Sequence, residues 1–206
     1  GFETPHPSIV VETVNDITAL QEKLSDARIS AIVIGPGLGR DQQATAFLNA
    51  ALATGTPLVI DADALTVAGP EFSDLVKGRS AETIATPHAG EFSALMPEGC
   101  EHRVEDSRRL AEQSRCNILL KGADSVIASP DGNASIAWIS CPWLSTAGTG
   151  DVLAGIIASR LATGMSGYKA ACEGQWLHSR AAQLAGPAFT PEMLINRLPA
   201  TLQECL

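Results

Sequence analysis

Short apolar runs recur along this chain, and each stops at residues better suited to chemistry or tight turns than to packing. Ile29–Ile34 runs into Gly35-Pro36-Gly37-Leu38-Gly39, and Pro57–Ile60 runs into Asp61-Ala62-Asp63. Thr83–Thr86 is followed by Pro87-His88-Ala89-Gly90-Glu91, and Asn117–Leu120 by Lys121-Gly122. Apolar runs of this kind, bounded by glycine and proline, read as buried strands. Between them lie stretches with helical spacing: Asn15–Ala27, a segment capped by Asp41 and reaching Thr54, short helices after Asp63 and Glu91, and Glu105–Arg115. The alternation predicts an α/β fold, with a largely parallel sheet covered by helices on both faces. Asp124–Ala128 and Ser135–Ile139 flank Asp131-Gly132, which predicts a hairpin forming an antiparallel edge. Thr149–Ala162, Tyr168–Leu184 and Pro191–Gln203 read as helices, and Gly1–Pro7 as a linker. No internal repeat or second domain is visible, so residues 1–206 are taken as a single domain. Ligands of open α/β sheets bind at the carboxyl ends of strands. The turns carrying Gly37, Asp61, His88 and Lys121 are therefore expected to meet at one cleft.

Charge narrows the range of partners. The formal net charge of -9 disfavours nucleic-acid backbones and anionic membranes. A nucleotide remains acceptable, because backbone N–H groups and a bound cation can hold phosphate locally. Aromatic residues make up only 4% of the chain, which suits close helix-on-sheet packing better than an aromatic-filled sandwich. Cys100, Cys116, Cys141, Cys172 and Cys205 are scattered without a C-x-x-C pair, and read as reduced, small apolar residues. There is no secretory signal and no apolar run long enough for a bilayer, so a cytoplasmic location is expected. The chain starts at Gly1 rather than Met and is read as a piece of a longer polypeptide.

The motif with the most chemistry is Ser145-Thr146-Ala147-Gly148-Thr149-Gly150-Asp151, leading into Val152-Leu153-Ala154-Gly155. Small residues at a helix start leave backbone N–H groups exposed, which makes an anion site. Asp151 has two readings. One is a cap that serves the helix dipole; the other is a base that deprotonates a hydroxyl about to attack phosphorus. The turn Gly35-Pro36-Gly37-Leu38-Gly39 lacks dinucleotide-loop spacing, and reads as a tight turn or as a close backbone approach to ligand. His88 and Glu91 share one loop-to-helix junction, with structural and functional readings both open. Asp61 and Asp63 face opposite ways, so they do not form an acid–base pair. One reading gives one of them a water-mediated magnesium contact and the other a helix cap. Lys121 meets phosphate or is an ordinary exposed lysine. His178, beside Trp176, reads as a packing residue, and His6 and His102 are assigned no role.

These motifs, in this order and at this spacing, resemble those of the ATP/ADP-dependent NAD(P)H-hydrate dehydratases, a branch of the ribokinase-like superfamily. The resemblance covers almost the whole chain: Val33–Gly39, Asp61–Leu65, Thr86–Glu91, Leu120–Ala123 and Ala147–Gly155. It implies a reaction in which the S epimer of hydrated NADH or NADPH loses water, at the expense of ADP or ATP. It assigns Gly37, His88 and Asp151 to the hydrated dinucleotide, with Asp151 catalytic. It assigns Lys121, Gly122, Ala123, Asp124, Ser125 and Gly150 to the adenine nucleotide. Magnesium is implied by the nucleotide chemistry, without identified ligands.

Ala89 stands where the family usually has proline, which loosens the histidine loop. The family also carries a further strand-and-helix segment ahead of the point where this chain begins. The chain therefore resembles the last three-quarters or so of a dehydratase domain, and a buried strand is expected to be left as an edge. Some relatives carry an epimerase domain further upstream, and members of the superfamily often self-associate. Two other functions compete: an ATP-dependent small-molecule kinase of the same superfamily, and a nucleotide-binding piece without turnover.

Overall fold

Alternate residues on each strand divide the core between two faces of one sheet, as the two-residue repeat of β structure requires. The computed structural model describes residues 9–97, 101–137 and 141–205. In it, the helix α1 (Ile17–Leu24) precedes β1 (Ile32–Ile34), α2 (Gln42–Leu52), β2 (Leu58–Ile60) and α3 (Ala62–Ala68). A 3-10 turn at Gly69–Glu71 leads to α4 (Phe72–Val76), β3 (Thr83–Ala85), α5 (Ala89–Leu95), α6 (Arg103–Ser114) and β4 (Asn117–Leu120). The chain continues through β5 (Ser125–Ala128), β6 (Ala134–Ala137), a 3-10 turn at Pro142–Ser145, α7 (Thr149–Ala162) and α8 (Gly167–Ala185). It closes with α9 (Pro191–Ile195) and α10 (Leu198–Gln203).

The sheet runs β1-β2-β3-β4-β5-β6. Pairing is parallel from β1 to β4, and antiparallel from β4 to β5 and from β5 to β6. Leu58, Ile60, Ala85, Ile118, Leu120 and Val126 pack with Leu48, Phe72, Phe92 and Leu110 from the helices between the parallel strands. Val59, Ile84, Leu119 and Ile127 turn the other way, onto Leu153, Ile157, Leu161, Ala170 and Ala171 of α7 and α8. Crossovers of one hand place the intervening helices on one face, so the last long helices return to cover the other.

Two sequence expectations are corrected. The helix expected over Pro191–Gln203 is two short helices, α9 and α10, because Pro199 cannot donate to the preceding turn and sits at the start of the second. The strand expected over Ser135–Ile139 begins one residue earlier, at Ala134; Trp138–Ser140, on which its expected end falls, lie outside the described residues, as do Gly1–Ser8, with His6. Asp41 caps α2 as expected, accepting the Ala44 N–H at 2.8 Å. Among the described residues β1 is an edge strand, and Val33 on it is exposed.

One half-buried arginine that the sequence did not advertise ties these layers. Arg79 donates to the carbonyls of Ala51, Leu52, Thr54 and Thr56 and to Thr83 Oγ1, closing the end of α2 onto the start of β3. The cysteines within the described residues, Cys116, Cys141, Cys172 and Cys205, are free thiols. Burial pushes the Cys116 thiol up to about 12, which suits a core residue rather than a nucleophile.

Gly35 is the tightest point of the β1 turn. Its φ is +130°, and a Cβ there would be driven into the carbonyl oxygen of Asp61. Gly35→Ala is expected to cost about 3–5 kcal/mol from overpacking and backbone strain combined. In a thermal melt that is a drop of about 10 °C or more for a domain of this size.

Candidate functional site

The ends of the strands converge on one amine. Lys121 follows β4, and its Nζ lies 2.7 Å from Asp61 Oδ1 at the end of β2. The same Nζ is 4.0 Å from Glu91 Oε2 in the first turn of α5. A Cβ placed on Gly150, in the first turn of α7, would lie 3.5 Å from it. Asp61 is only 1% exposed, so its carboxylate depends on this one cation. An ordinary exposed lysine does not describe Lys121.

Two helices begin at this cluster, and they begin differently. At α5 the start is closed: His88 Nδ1 accepts from the N–H groups of Gly90 at 2.9 Å and Glu91 at 3.2 Å. Glu91 Oε2 returns to the His88 N–H at 2.8 Å, completing a reciprocal cap. At α7 the start is open. Its N-cap is Gly148, at φ 87°, with no side-chain cap. Among the described residues the N–H groups of Gly150 and Asp151 meet no acceptor. Thr149 Oγ1 instead anchors the turn from beneath, within reach of the carbonyls of Leu144 (2.6 Å) and Thr146 (2.8 Å). An open helix start beside a lysine is an anion site on physical grounds.

Asp151 is exposed in that first turn. Desolvation and, next, the Asp61 carboxylate raise its pKa above the ordinary value, while Lys121 opposes them. A carboxylate shifted this way is a better proton acceptor than a surface aspartate. Asp63 has a different task from Asp61, and neither side chain caps α3, which corrects the expectation that one of them would. Asp63 accepts the Gly39 N–H at 3.1 Å and pairs with Arg40 at 2.8 Å, which holds the glycine turn after β1.

Gly37 sits in that turn at φ +66°, with open space where a side chain would be. The residues Gly122–Ser125 form a tight turn in which the Gly122 N–H donates to Ser125 Oγ at 3.2 Å, and Ser125 Oγ reaches the Gly122 carbonyl at 3.1 Å. Arg103, unremarked in the sequence, backs this turn. Its Nη2 reaches the carbonyls of Leu120, Lys121 and Asp124, and its Nε lies 3.4 Å from Asp124 Oδ1. A Cβ on Gly122 would come within 2.6 Å of that guanidinium, so a side chain there would displace the arginine from the turn it backs. Ala123 lies on the same turn.

His178 packs in the interior as expected, and it also has a polar partner. It is buried on α8 with Nε2 2.9 Å from the Thr149 carbonyl oxygen, directly under the start of α7. A cavity of about 560 Å³, lined by Arg160, Glu173, Trp176, Leu202, Glu204 and Cys205, shares no residue with the strand-end cluster. Its charges are already paired, Arg160 with Glu173 at 3.1 Å and Glu204 with Arg180 at 2.7 Å.

A mainly parallel α/β sheet thus carries at its strand ends an open glycine helix start, a lysine and a carboxylate of raised pKa, an arrangement chemically suited to an anion. The family model for NAD(P)H-hydrate dehydratase matches residues 2–204, and the chain belongs to that family. Among curated relatives, the bifunctional NAD(P)H-hydrate repair enzyme Nnr of Mycobacterium leprae is 41% identical over 85% of this chain and 38% of its own length. The ADP-dependent (S)-NAD(P)H-hydrate dehydratase of Neisseria meningitidis is 34% identical over 86% of this chain and 60% of its own length. The chain thus spans well under half the length of the first of these and about three-fifths of the second. Among solved structures, the ADP/ATP-dependent NAD(P)H-hydrate dehydratase of Bacillus subtilis, co-crystallised with ATP and magnesium and soaked with CoA, superposes with a TM-score of 0.75. It is 28% identical, over 89% of this chain and 71% of that one.

Proposed function

We propose that this chain is the dehydratase part of a nicotinamide-nucleotide repair enzyme. In this reading it restores NADH or NADPH from the S epimer of the hydrate, and converts ADP to AMP and phosphate, or ATP to ADP and phosphate. The observation that carries the reading is the open start of α7, with Gly150 and Asp151 uncapped beside Lys121. Hydroxide is a poor leaving group and phosphate a good one, so phosphorylating the ring hydroxyl makes the elimination accessible. Asp151 takes the hydroxyl proton as its oxygen attacks the terminal phosphorus of the nucleotide, and the nucleoside phosphate leaves. The phosphorylated hydrate then loses phosphate together with a ring proton, and the reduced nicotinamide is regenerated.

In this assignment Lys121, Gly122, Ala123, Asp124, Ser125 and Gly150 hold the adenine nucleotide, while Gly37, His88 and Asp151 face the hydrated dinucleotide. Support comes from Arg103, which shapes the Gly122–Ser125 turn, and from the reciprocal cap that fixes His88. Magnesium fits as an ion that arrives with the nucleotide. No group of three or more His, Cys, Asp and Glu side chains able to hold a metal exists among the described residues. Magnesium commonly takes one or two carboxylates and completes its shell with phosphate and water. Asp151, exposed at the start of α7, is the carboxylate that would face it, whereas Asp61 is buried and already paired with Lys121. The ion would supply charge neutralisation on the phosphates.

The single domain, an epimerase domain upstream in the whole protein, and a cytoplasmic location belong to the same proposal. No helix among the described residues is long and apolar enough to cross a membrane.

Incubating the chain with hydrated NADH, ADP and magnesium is expected to restore absorbance at the reduced-nicotinamide band, with AMP and phosphate formed in equal amounts. Stable phosphorylation of an added alcohol with no such recovery points to a kinase instead. ADP binding without recovery overturns the dehydratase reading for this chain.

A further inference from the structure

The buried histidine under α7 has one polar partner, and that partner belongs to the peptide unit at the centre of the proposed anion site. His178 Nε2 lies 2.9 Å from the carbonyl oxygen of Thr149. A peptide unit is planar and trans, so the Thr149 carbonyl and the Gly150 N–H are opposite ends of one rigid dipole. The carbonyl end points inward to α8, and the N–H end is left without a protein acceptor among the described residues. His178 is only 4% exposed. Burial, with Lys121 adding repulsion, pushes its pKa down to about 4 against the opposing effect of the Thr149 contact, so the ring is neutral near pH 7. A neutral ring facing a carbonyl carries its proton on Nε2 and donates. Its Nδ1 is buried with no partner among the described residues. Burying an imidazole on a single hydrogen bond is a poor way to stabilise a core, where an apolar side chain would pack without that penalty.

We infer that His178 is a positioning residue for the anion site: by donating from Nε2 to the Thr149 carbonyl, it fixes the plane of the Thr149–Gly150 peptide and strengthens the Gly150 N–H as a donor to phosphate. A donor at the carbonyl end of an amide polarises the whole unit, and hydrogen bonds in series reinforce one another. The effect is largest where negative charge accumulates, on the phosphoryl group in flight, and smaller on the resting nucleotide. Neighbouring contacts are consistent with a turn held rigidly from below. Thr149 Oγ1 is tied to the carbonyls of Leu144 and Thr146, and Lys121 lies beside Gly150 on the other side.

The inference rests on the phosphoryl-transfer reading of the α7 start, so the test needs one readout that does not depend on it. The amide proton of Gly150, followed by 15N-1H NMR without any ligand, reports the polarisation directly. His178→Phe, which keeps the volume and removes the donor, is expected to move that resonance upfield. His178→Gln, whose amide nitrogen takes the place of Nε2, is expected to return it. In the dehydration assay, His178→Phe is expected to lower kcat about tenfold, with the KM for ADP changed far less. His178→Gln is expected to recover most of the loss.

A Gly150 resonance unmoved in His178→Phe, in a protein whose other amides keep their positions, overturns the inference. So does a His178→Gln variant that is folded and as slow as His178→Phe. If His178→Phe does not fold, the Gln variant and His178→Leu are compared through the same resonance. A Gly150 shift that follows the donor in a wild-type chain with no dehydratase activity would uphold the polarisation and reject the catalytic reading it serves.

Discussion

Asp151→Asn is expected to reduce turnover about a thousandfold while ADP affinity stays within a few-fold of the parent. The two effects separate because the carboxylate acts on the hydroxyl proton, whereas the nucleotide is held by Lys121, by the Gly122–Ser125 turn and by the N–H groups at the start of α7. Asparagine keeps the volume and a hydrogen-bonding oxygen, and removes only the basicity. The pH profile gives a second check. A base is active when deprotonated, so kcat/KM falls as pH drops through the Asp151 pKa. That pKa is raised, first by desolvation and then by the Asp61 carboxylate. The acid limb should therefore lie above the ordinary carboxylate range, and should vanish in Asp151→Asn. Turnover that survives the substitution identifies the carboxylate as a helix cap and nothing more.

Lys121→Met is expected to have the second large effect, on both binding and stability. It removes the cation beside Gly150 and leaves the buried carboxylate of Asp61 without its partner at 2.7 Å. Stranding one member of a buried pair costs about 3 kcal/mol or more. Loss of the phosphate contact should raise the Kd for ADP at least tenfold, measured by calorimetry. The double variant Lys121→Met with Asp61→Asn separates the two contributions: stability should return in large part, and ADP affinity should not. Lys121 also lowers the Asp151 pKa, so any residual activity of Lys121→Met should show its acid limb at still higher pH. A Lys121→Met protein that melts like the parent and binds ADP normally removes the lysine from the site.

The strand ends were legible because their punctuation is chemical: glycine, aspartate, histidine and lysine cannot continue a buried apolar run without a reason. The expectation that Asp61 and Asp63 do not pair was met, though not through the two-residue period of a strand, because α3 begins at Ala62 and Asp63 lies in its first turn. Their partners were not legible, since Lys121 lies 60 positions from Asp61 and Gly39 lies 24 from Asp63. No local pattern encodes such distances.

The difference between the closed start of α5 and the open start of α7 was beyond the sequence as well. Both are short-residue turns into a helix with an early acid. What separates them is that a histidine ring, an unusual capping group, happens to accept from the first N–H groups of α5. His178 was recognisable as buried, though not as a donor to Thr149, because the pairing crosses from α8 to α7. Arg79 and Arg103 carry no motif that marks them in the sequence. Each is fixed by carbonyls that face it only once the strands and helices are assembled. The break between α9 and α10 was readable, because Pro199 lies within the run.

The separation of Asp61 from Lys121 also bears on when the site exists. Contacts between residues far apart in sequence close large loops, and such contacts delay folding in proportion to the entropy they must overcome. Parallel pairing of β2 with β3 and of β3 with β4 must be complete before the lysine can reach its aspartate. Partly folded chains, even those with their helices formed, therefore hold no anion site. ADP should slow unfolding without speeding refolding, because it finds something to bind only after the last barrier has been crossed.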